Sequence, residues 1–246
     1  MFAWYKDLGR MDYKQCWDLQ RSLFDALLES KAKSRVGLVS DGGEVRVDGD
    51  EAVGTVLIVE HPAVYTLGKN GKESNLLLGE EYLRSIGADF YRIDRGGDVT
   101  FHGEGQIVGY PILDIERLGI GLRDYIDAQE QSIIDTVAHY GIEAGRVAGA
   151  SGVWLGSAEE RNLRKICAEG VRASRFITMH GFALNVTTDL RYFNHINPCG
   201  FTDRGVTSME RELGSAPDME EVKKLVINNL IKNLIVKISK NSRLCP

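Results

Sequence analysis

The chain has 246 residues, with 30 Lys+Arg against 35 Asp+Glu for a net charge of −5, and 43% hydrophobic against 26% charged side chains. These values exclude an intrinsically disordered chain, and the lack of a basic excess argues against a dedicated nucleic-acid binder. No apolar run approaches the ~18 residues of a membrane span. No secretory leader is expected before Asp12, and the four cysteines at 16, 167, 199 and 245 contain no Cys-x-x-Cys pair. A cytoplasmic protein with reduced thiols, binding neither nucleic acid nor membrane, is the expectation.

In chain order, a helix is predicted from near Asp12, with Cys16, Leu19, Leu23 and Leu27 at helical spacing. Ser40 to Gly54 is polar and carries the turn signal Asp41-Gly42-Gly43, and Val45 and Val47 alternate with charges as in a small exposed hairpin. Thr55 to Val59 reads as a buried strand stopped by His61-Pro62, and Val64 to Gly68 as a second extended piece. Phe90 to Ile93 and Ile107 to Leu113 are strand-like and bracket a glycine-rich segment. Tyr125 to Tyr140 reads as a helix stopped by Gly141. Val153 to Leu155, Arg164 to Ala168 and Phe182 to Val186 read as short strands. A last helix starts at Asp218, with Glu221 completing a capping box and Val222, Val226, Leu230 and Leu234 as its apolar stripe. Helices bracketing a strand-rich middle, with no repeat or linker, predict one α+β domain over residues 1–246, a mixed sheet packed with helices. Residues 40–54 are expected as a peripheral insertion and 215–246 as a C-terminal helix and tail.

Several chemistries find no motif. There is no P-loop, no dinucleotide glycine pattern after Gly103-Glu104-Gly105, no His-Glu-x-x-His and no Gly-x-Ser-x-Gly elbow. No metal and no cofactor are expected. Three segments stand out instead. In Arg95-Gly96-Gly97-Asp98-Val99-Thr100-Phe101-His102-Gly103-Glu104-Gly105-Gln106, glycines let the backbone approach a ligand and Arg95, Thr100, His102 and Gln106 add polar groups, although a plain glycine-rich turn reads the same way. In Asn197-Pro198-Cys199-Gly200, Pro198 and Gly200 frame an open thiol, against the alternative of a small core residue. Lys165, within Arg164-Lys165-Ile166-Cys167-Ala168, sits in an apolar run. There it is either a solvent-facing strand lysine or an amine that serves as base or thiol activator. His61 and His180 read as histidines that satisfy backbone groups, and Cys16 as core.

Taken together these pieces resemble the lipoyl(octanoyl) transferase family. The resemblance runs from about Val56 to Glu212 and is carried in order by His61 to Gly68, Arg95 to Tyr110, Gly152-Val153-Trp154, Lys165-Ile166 with Gly170-Val171-Arg172, His180 to Asn185, and Ile196 to Gly200. It implies a fold similar to the catalytic domain of biotin and lipoate protein ligases and a catalytic dyad of Cys199 and Lys165. It also implies acyl-substrate contacts from Arg95, Gly96, Gly97, Asp98, Val99, Thr100, Phe101 and His102, from Ala168, Glu169 and Gly170, and from Gly181, Phe182 and Ala183. Glu104 stands where many members have proline, and Cys167 occupies a small-residue position.

The implied reaction moves an octanoyl group from octanoyl-acyl carrier protein, through a thioester on Cys199, to a lysine of lipoyl domains. Those acceptors are the lipoyl domains of 2-oxoacid dehydrogenases and the glycine cleavage H protein. Two alternatives stay open at this point: an ATP-dependent lipoate or biotin ligase, and a non-catalytic binder of acyl carriers or lipoyl domains. A thioester hydrolase using Cys199 with His102 or His180 is a third. Because carrier and chain are both acidic, a basic docking patch is expected, with Arg161, Arg164, Arg172 and Arg175 as its candidates.

Overall fold

The computed structural model describes residues 2–36, 52–157, 159, 161–197 and 205–242. The expected Val45/Val47 hairpin, most of the 40–54 insertion, Cys199 and Cys245 lie outside these residues.

The first strand, β1 (Trp4–Arg10), is followed by α1 (Tyr13–Val36). The sequence reading missed β1, an edge strand so exposed that no buried face imposes alternation on its side chains. Asp12 caps α1, its carboxylate accepting from Gln15 N–H at 3.0 Å. The face that α1 buries is Tyr13, Cys16, Gln20 and Phe24, while Leu19, Leu23 and Leu27 flank it half-buried. A fully buried glutamine interrupted the apolar stripe and hid this face.

Next come β2 (Gly54–Glu60), β3 (Val64–Leu67), α2 (Glu80–Ser85), β4 (Asp89–Arg92), β5 (Val99–His102), β6 (Gln106–Leu113) and α3 (Leu122–His139). Then follow β7 (Gly145–Val147), β8 (Ala150–Leu155), β9 (Arg164–Ser174), β10 (Ile177–Asn185), β11 (Gly205–Val206), α4 (Met209–Leu213) and α5 (Met219–Ser242). The strands β9 and β10 are a long hairpin; the sequence reading cut both short because Gly170 and Gly181 look like breaks. Among the described residues the main sheet is ordered β1-β2-β6-β10-β9-β8-β7, with β11 joined to β9, and β4-β3-β5 form a second sheet. Parallel and antiparallel pairs coexist, as the expected mixed sheet requires.

One face of the main sheet packs on α3 and α5, the other on α1. Val222, Val226, Leu230 and Leu234 of α5 are buried, and Asp218 accepts from Glu221 N–H at 2.9 Å, the capping contact expected from sequence. The small sheet has its own core of Tyr65, Leu67, Leu83, Val99, Phe101 and Ile196 and packs over the α1 side of β9 and β10. No helix among the described residues is long and apolar enough to cross a membrane.

Removing the α5 cap with Asp218→Ala is expected to lower unfolding stability by about 1 kcal/mol. Leu230→Ala, which opens the core between α3 and α5, is expected to cost about 2–5 kcal/mol, both read from urea denaturation midpoints.

Candidate functional site

Side chains along a strand alternate between faces, and a bulge resets that alternation. Between β8 and β9, Val153 pairs with Cys167 but Trp154 pairs with Lys165, so β9 carries one extra residue. Ile166 and Cys167 both lie in the core on the α3 side. Lys165 and Ala168, on either side of that step, therefore emerge on the opposite face. On β10, Ala183 is in register with Ala168 and Gly181 with Gly170. Four small residues thus form a bare strip on the α1 side of the hairpin, with Lys165 at its end. The register partners Glu169 and Phe182 turn the other way, Phe182 into the α3 core, and contribute main chain to the strip.

The glycine-rich segment roofs this strip. Gly96 N–H donates to Val171 O at 3.1 Å, and a Cβ at Gly170 would meet Gly96 O at 2.7 Å and Arg95 Nη1 at 2.8 Å. The Arg95 guanidinium ties the segment to itself, donating to Gly96 O at 2.8 Å and Asp98 O at 2.7 Å. Asp98 accepts from Val99 N–H at 2.7 Å and from the Asn75 amide. Arg95 and Asp98 therefore shape the roof.

Between roof and strip runs a cavity. Lys165, Trp154, Val206 and Phe193 stand at the Lys165 end, with Gly97, Asp98, Val99, Thr100, Ala168 and Ala183 along it. It continues past Arg95, Thr100, Ala168 and Ala183, which it shares with an inner chamber lined by Gly170, Gly181, His102, His180, Tyr110 and Tyr13. Lys165 is flanked in register by Trp154 and Val206. Its Nζ lies 4.5 Å from the Trp154 ring centroid, a cation–π contact that fixes the side chain across the mouth.

Most of the residues singled out from sequence thus meet at one cavity: Lys165, Arg95, Gly97, Asp98, Val99, Thr100, His102, Ala168, Glu169, Gly170, Gly181, Phe182 and Ala183. Two do not line it. The ring of Phe101 stacks on Tyr192 at 4.6 Å in the small-sheet core, and Gly96 faces an outer groove with Lys69 and Arg172. Sequence reasoning missed Tyr13, Phe193 and Val206 as wall residues, which nothing in their local pattern marks, and Asn185, which closes the His180–Asn185 piece but was not singled out. Two of the four arginines considered for docking do not adjoin each other. Arg164 is paired with Glu212 and Arg172 with Asp94, and the eight steps along β9 from one to the other place them roughly 26 Å apart.

Neutral histidines line the inner chamber, His102 and His180, with His61 behind Tyr13 and Tyr110. Burial pushes His102 down to about 3 and His61 down to about 4, and lowers His180 despite its bond to Asp94. His102 Nδ1 donates to Gln106 Oε1 at 2.8 Å, since the Gln106 amide nitrogen already donates to Asn185 Oδ1 at 2.9 Å. His61 Nδ1 donates to Met11 O at 2.8 Å, leaving its Nε2 to accept from the Tyr110 hydroxyl at 2.9 Å. His180 adopts φ +63°, a left-handed backbone unusual for a residue with a Cβ, with its N–H on Gln20 Oε1 at 3.2 Å. Burial pushes the Cys16 thiol up to about 12 and raises Cys167 well above the usual range, so both are protonated, poor nucleophiles. Among the described residues no cluster of metal-ligating side chains occurs.

The chain matches the lipoyl protein ligase A/B catalytic domain family over residues 12–231. It is 49% identical to an octanoyltransferase of Bacteroides fragilis over 94% of this chain and 97% of that relative. It is 50% identical to one of Flavobacterium johnsoniae over 92% and 93%. Among solved structures it is similar to a lipoate-protein ligase A bound with ATP (TM-score 0.60, 14% identity, 99% of this chain and 93% of that one). It is also similar to a biotin protein ligase of Aquifex aeolicus in complex with biotin and ATP (TM-score 0.52, 14% identity, 95% and 71%). At such identities these two show the fold alone, the α+β architecture of lipoate and biotin ligase catalytic domains. The relatives go further: the chain belongs to the octanoyltransferase family. It is accordingly an acyltransferase, moving an octanoyl group in protein lipoylation.

The buried imidazoles make a pH prediction. Below the ordinary histidine value of ~6.5 the unfolded chain takes up protons that folded His61 and His102 refuse, so their contribution to stability is full above that pH and is lost as pH falls toward 4. His102→Gln should make the fall of Tm between pH 6.5 and 4 shallower than in the wild type, by scanning calorimetry.

Proposed function

We propose that octanoyl transfer runs through a thioester on Cys199, with Lys165 as the proton-handling group. The supporting observation is Lys165, turned by the β9 bulge to the mouth of a cavity whose strip is Ala168, Gly170, Gly181 and Ala183. Cys199 enters on its Asn-Pro-Cys-Gly motif. The donor is octanoyl-acyl carrier protein, and the acceptor is a lysine on the lipoyl domains of 2-oxoacid dehydrogenases or on the glycine cleavage H protein.

In the first step the Cys199 thiolate, its proton taken by Lys165, attacks the thioester carbonyl. The carbonyl-to-pantetheine C–S bond breaks, and the pantetheine thiolate leaves and takes that proton from Lys165, which is neutral again for the next step. One thioester replaces another, so no ATP is consumed. In the second step the acceptor amine, with an ordinary pKa near ~10.4, must shed its proton to attack. Lys165 receives that proton as the amide forms and the Cys199 thiolate departs. The octanoyl chain lies on the small-residue strip under the Arg95–Thr100 roof.

Intact mass spectrometry after mixing with octanoyl-acyl carrier protein, without ATP, tests the scheme. One octanoyl adduct is expected, absent in Cys199→Ala and still formed in Cys16→Ala and Cys167→Ala. Lys165→Ala is expected to slow adduct formation by roughly 10²-fold or more. An adduct that survives Cys199→Ala, a strict need for ATP and free octanoate, or release of free octanoic acid without a modified lipoyl domain would each overturn it.

A further inference from the structure

We propose that Tyr13, at the start of α1, is the stop that sets acyl-chain length. The inference rests on reading the cavity beside Lys165 as the acyl site. That cavity and the inner chamber share Arg95, Thr100, Ala168 and Ala183, so a chain entering at Lys165 is led inward along β9 and β10. From Lys165 to Gly170 the strand advances roughly 15 Å at ~3.3 Å per residue. An extended eight-carbon chain, with C–C bonds of ~1.5 Å, spans about 9 Å, leaving the remainder for the thioester and the lysine. The chain end then reaches the inner chamber, where Tyr13 is 2% exposed.

Tyr13 is held as a fixed wall. Its ring stacks on His102 (5.8 Å, 15°) and on Tyr91 (5.7 Å, 23°), and meets the ring of His61 edge-on at 5.1 Å. His102 is pinned in turn by Gln106, and His61 by Met11 O and Tyr110. The backbone beneath is fixed too, one residue after the Asp12 cap. With neighbours on three sides the ring has no empty volume to swing into, and a longer chain would have to overpack the chamber. The contacts that hold Tyr13 in place are made by its ring, so the ring is what the stop requires.

The test measures transfer from acyl carrier protein loaded with six-, eight-, ten- or twelve-carbon chains to a lipoyl domain, with folding checked by circular dichroism. The wild type is expected to favour eight carbons. Tyr13→Ala should move the optimum to ten or twelve, raising the ratio of decanoyl to octanoyl transfer by roughly tenfold or more, the scale of one or two methylenes in a pocket. Tyr13→Leu, a smaller excavation that keeps an apolar filler, should shift it in the same direction by less, and Tyr13→Phe should keep the wild-type ranking. Ala183→Leu, in the stretch shared by both chambers, serves as the control on the site itself and should depress transfer of every chain. An unchanged ranking in folded Tyr13→Ala and Tyr13→Leu, with Ala183→Leu impaired, overturns the role of Tyr13 alone. Unimpaired Ala183→Leu overturns the acyl-site reading with it.

Discussion

The close approach of the Arg95–Gly97 segment to β9 is the constraint on which the site depends. Gly96 N–H reaches Val171 O at 3.1 Å, and this is open only because Gly170 has no Cβ to strike Gly96 O and Arg95 Nη1. That contact brings the small sheet over the bare strip of the β9–β10 hairpin and turns two surfaces into a cavity. The Arg95 guanidinium then bonds its own segment, so the roof holds its shape without borrowing strength from a ligand.

The opposite requirement governs the inside of that cavity. Buried polar groups must be paired or neutral, because an isolated charge there is costly. His61 and His102 meet this by staying uncharged and hydrogen-bonded. The bonds extend from His102 through Gln106 to Asn185, and from Asn185 to Thr207 O at 3.0 Å. Thr207 N–H bonds Lys165 O at 2.9 Å, and the Thr207 hydroxyl donates to Glu212, which clamps Arg164. One chain of polar contacts therefore links the innermost histidine to the strand that carries Lys165. It defines where β11 lies against β9 and hence which side chains flank the lysine.

The same geometry gives a role to two of the four arginines that the acidic balance of the chain had suggested for docking. Arg164 and Arg172 stand at opposite ends of β9, each held by a carboxylate. They act as ties within the fold, one fixing α4 to β9 and the other joining β9 to the residue before the roof.

The sequence by itself determined the helices with strong periodicity and caps, the short apolar strands, and the two motifs that resemble acyl transferases. These are local properties, since a capping carboxylate or an alternating run acts within a few residues of itself. It also marked Lys165 as unusual, because a lysine amid apolar strand residues is a local anomaly. Only the tertiary structure decided which face Lys165 takes, through a bulge visible only in pairing with β8, and that Phe101 turns into a core while its neighbours line the cavity. It alone brought Tyr13 of α1 against His102 of β5, and revealed β1, an exposed edge with no periodic signature. Such facts depend on contacts between residues far apart in the chain, and no window of neighbouring residues carries them.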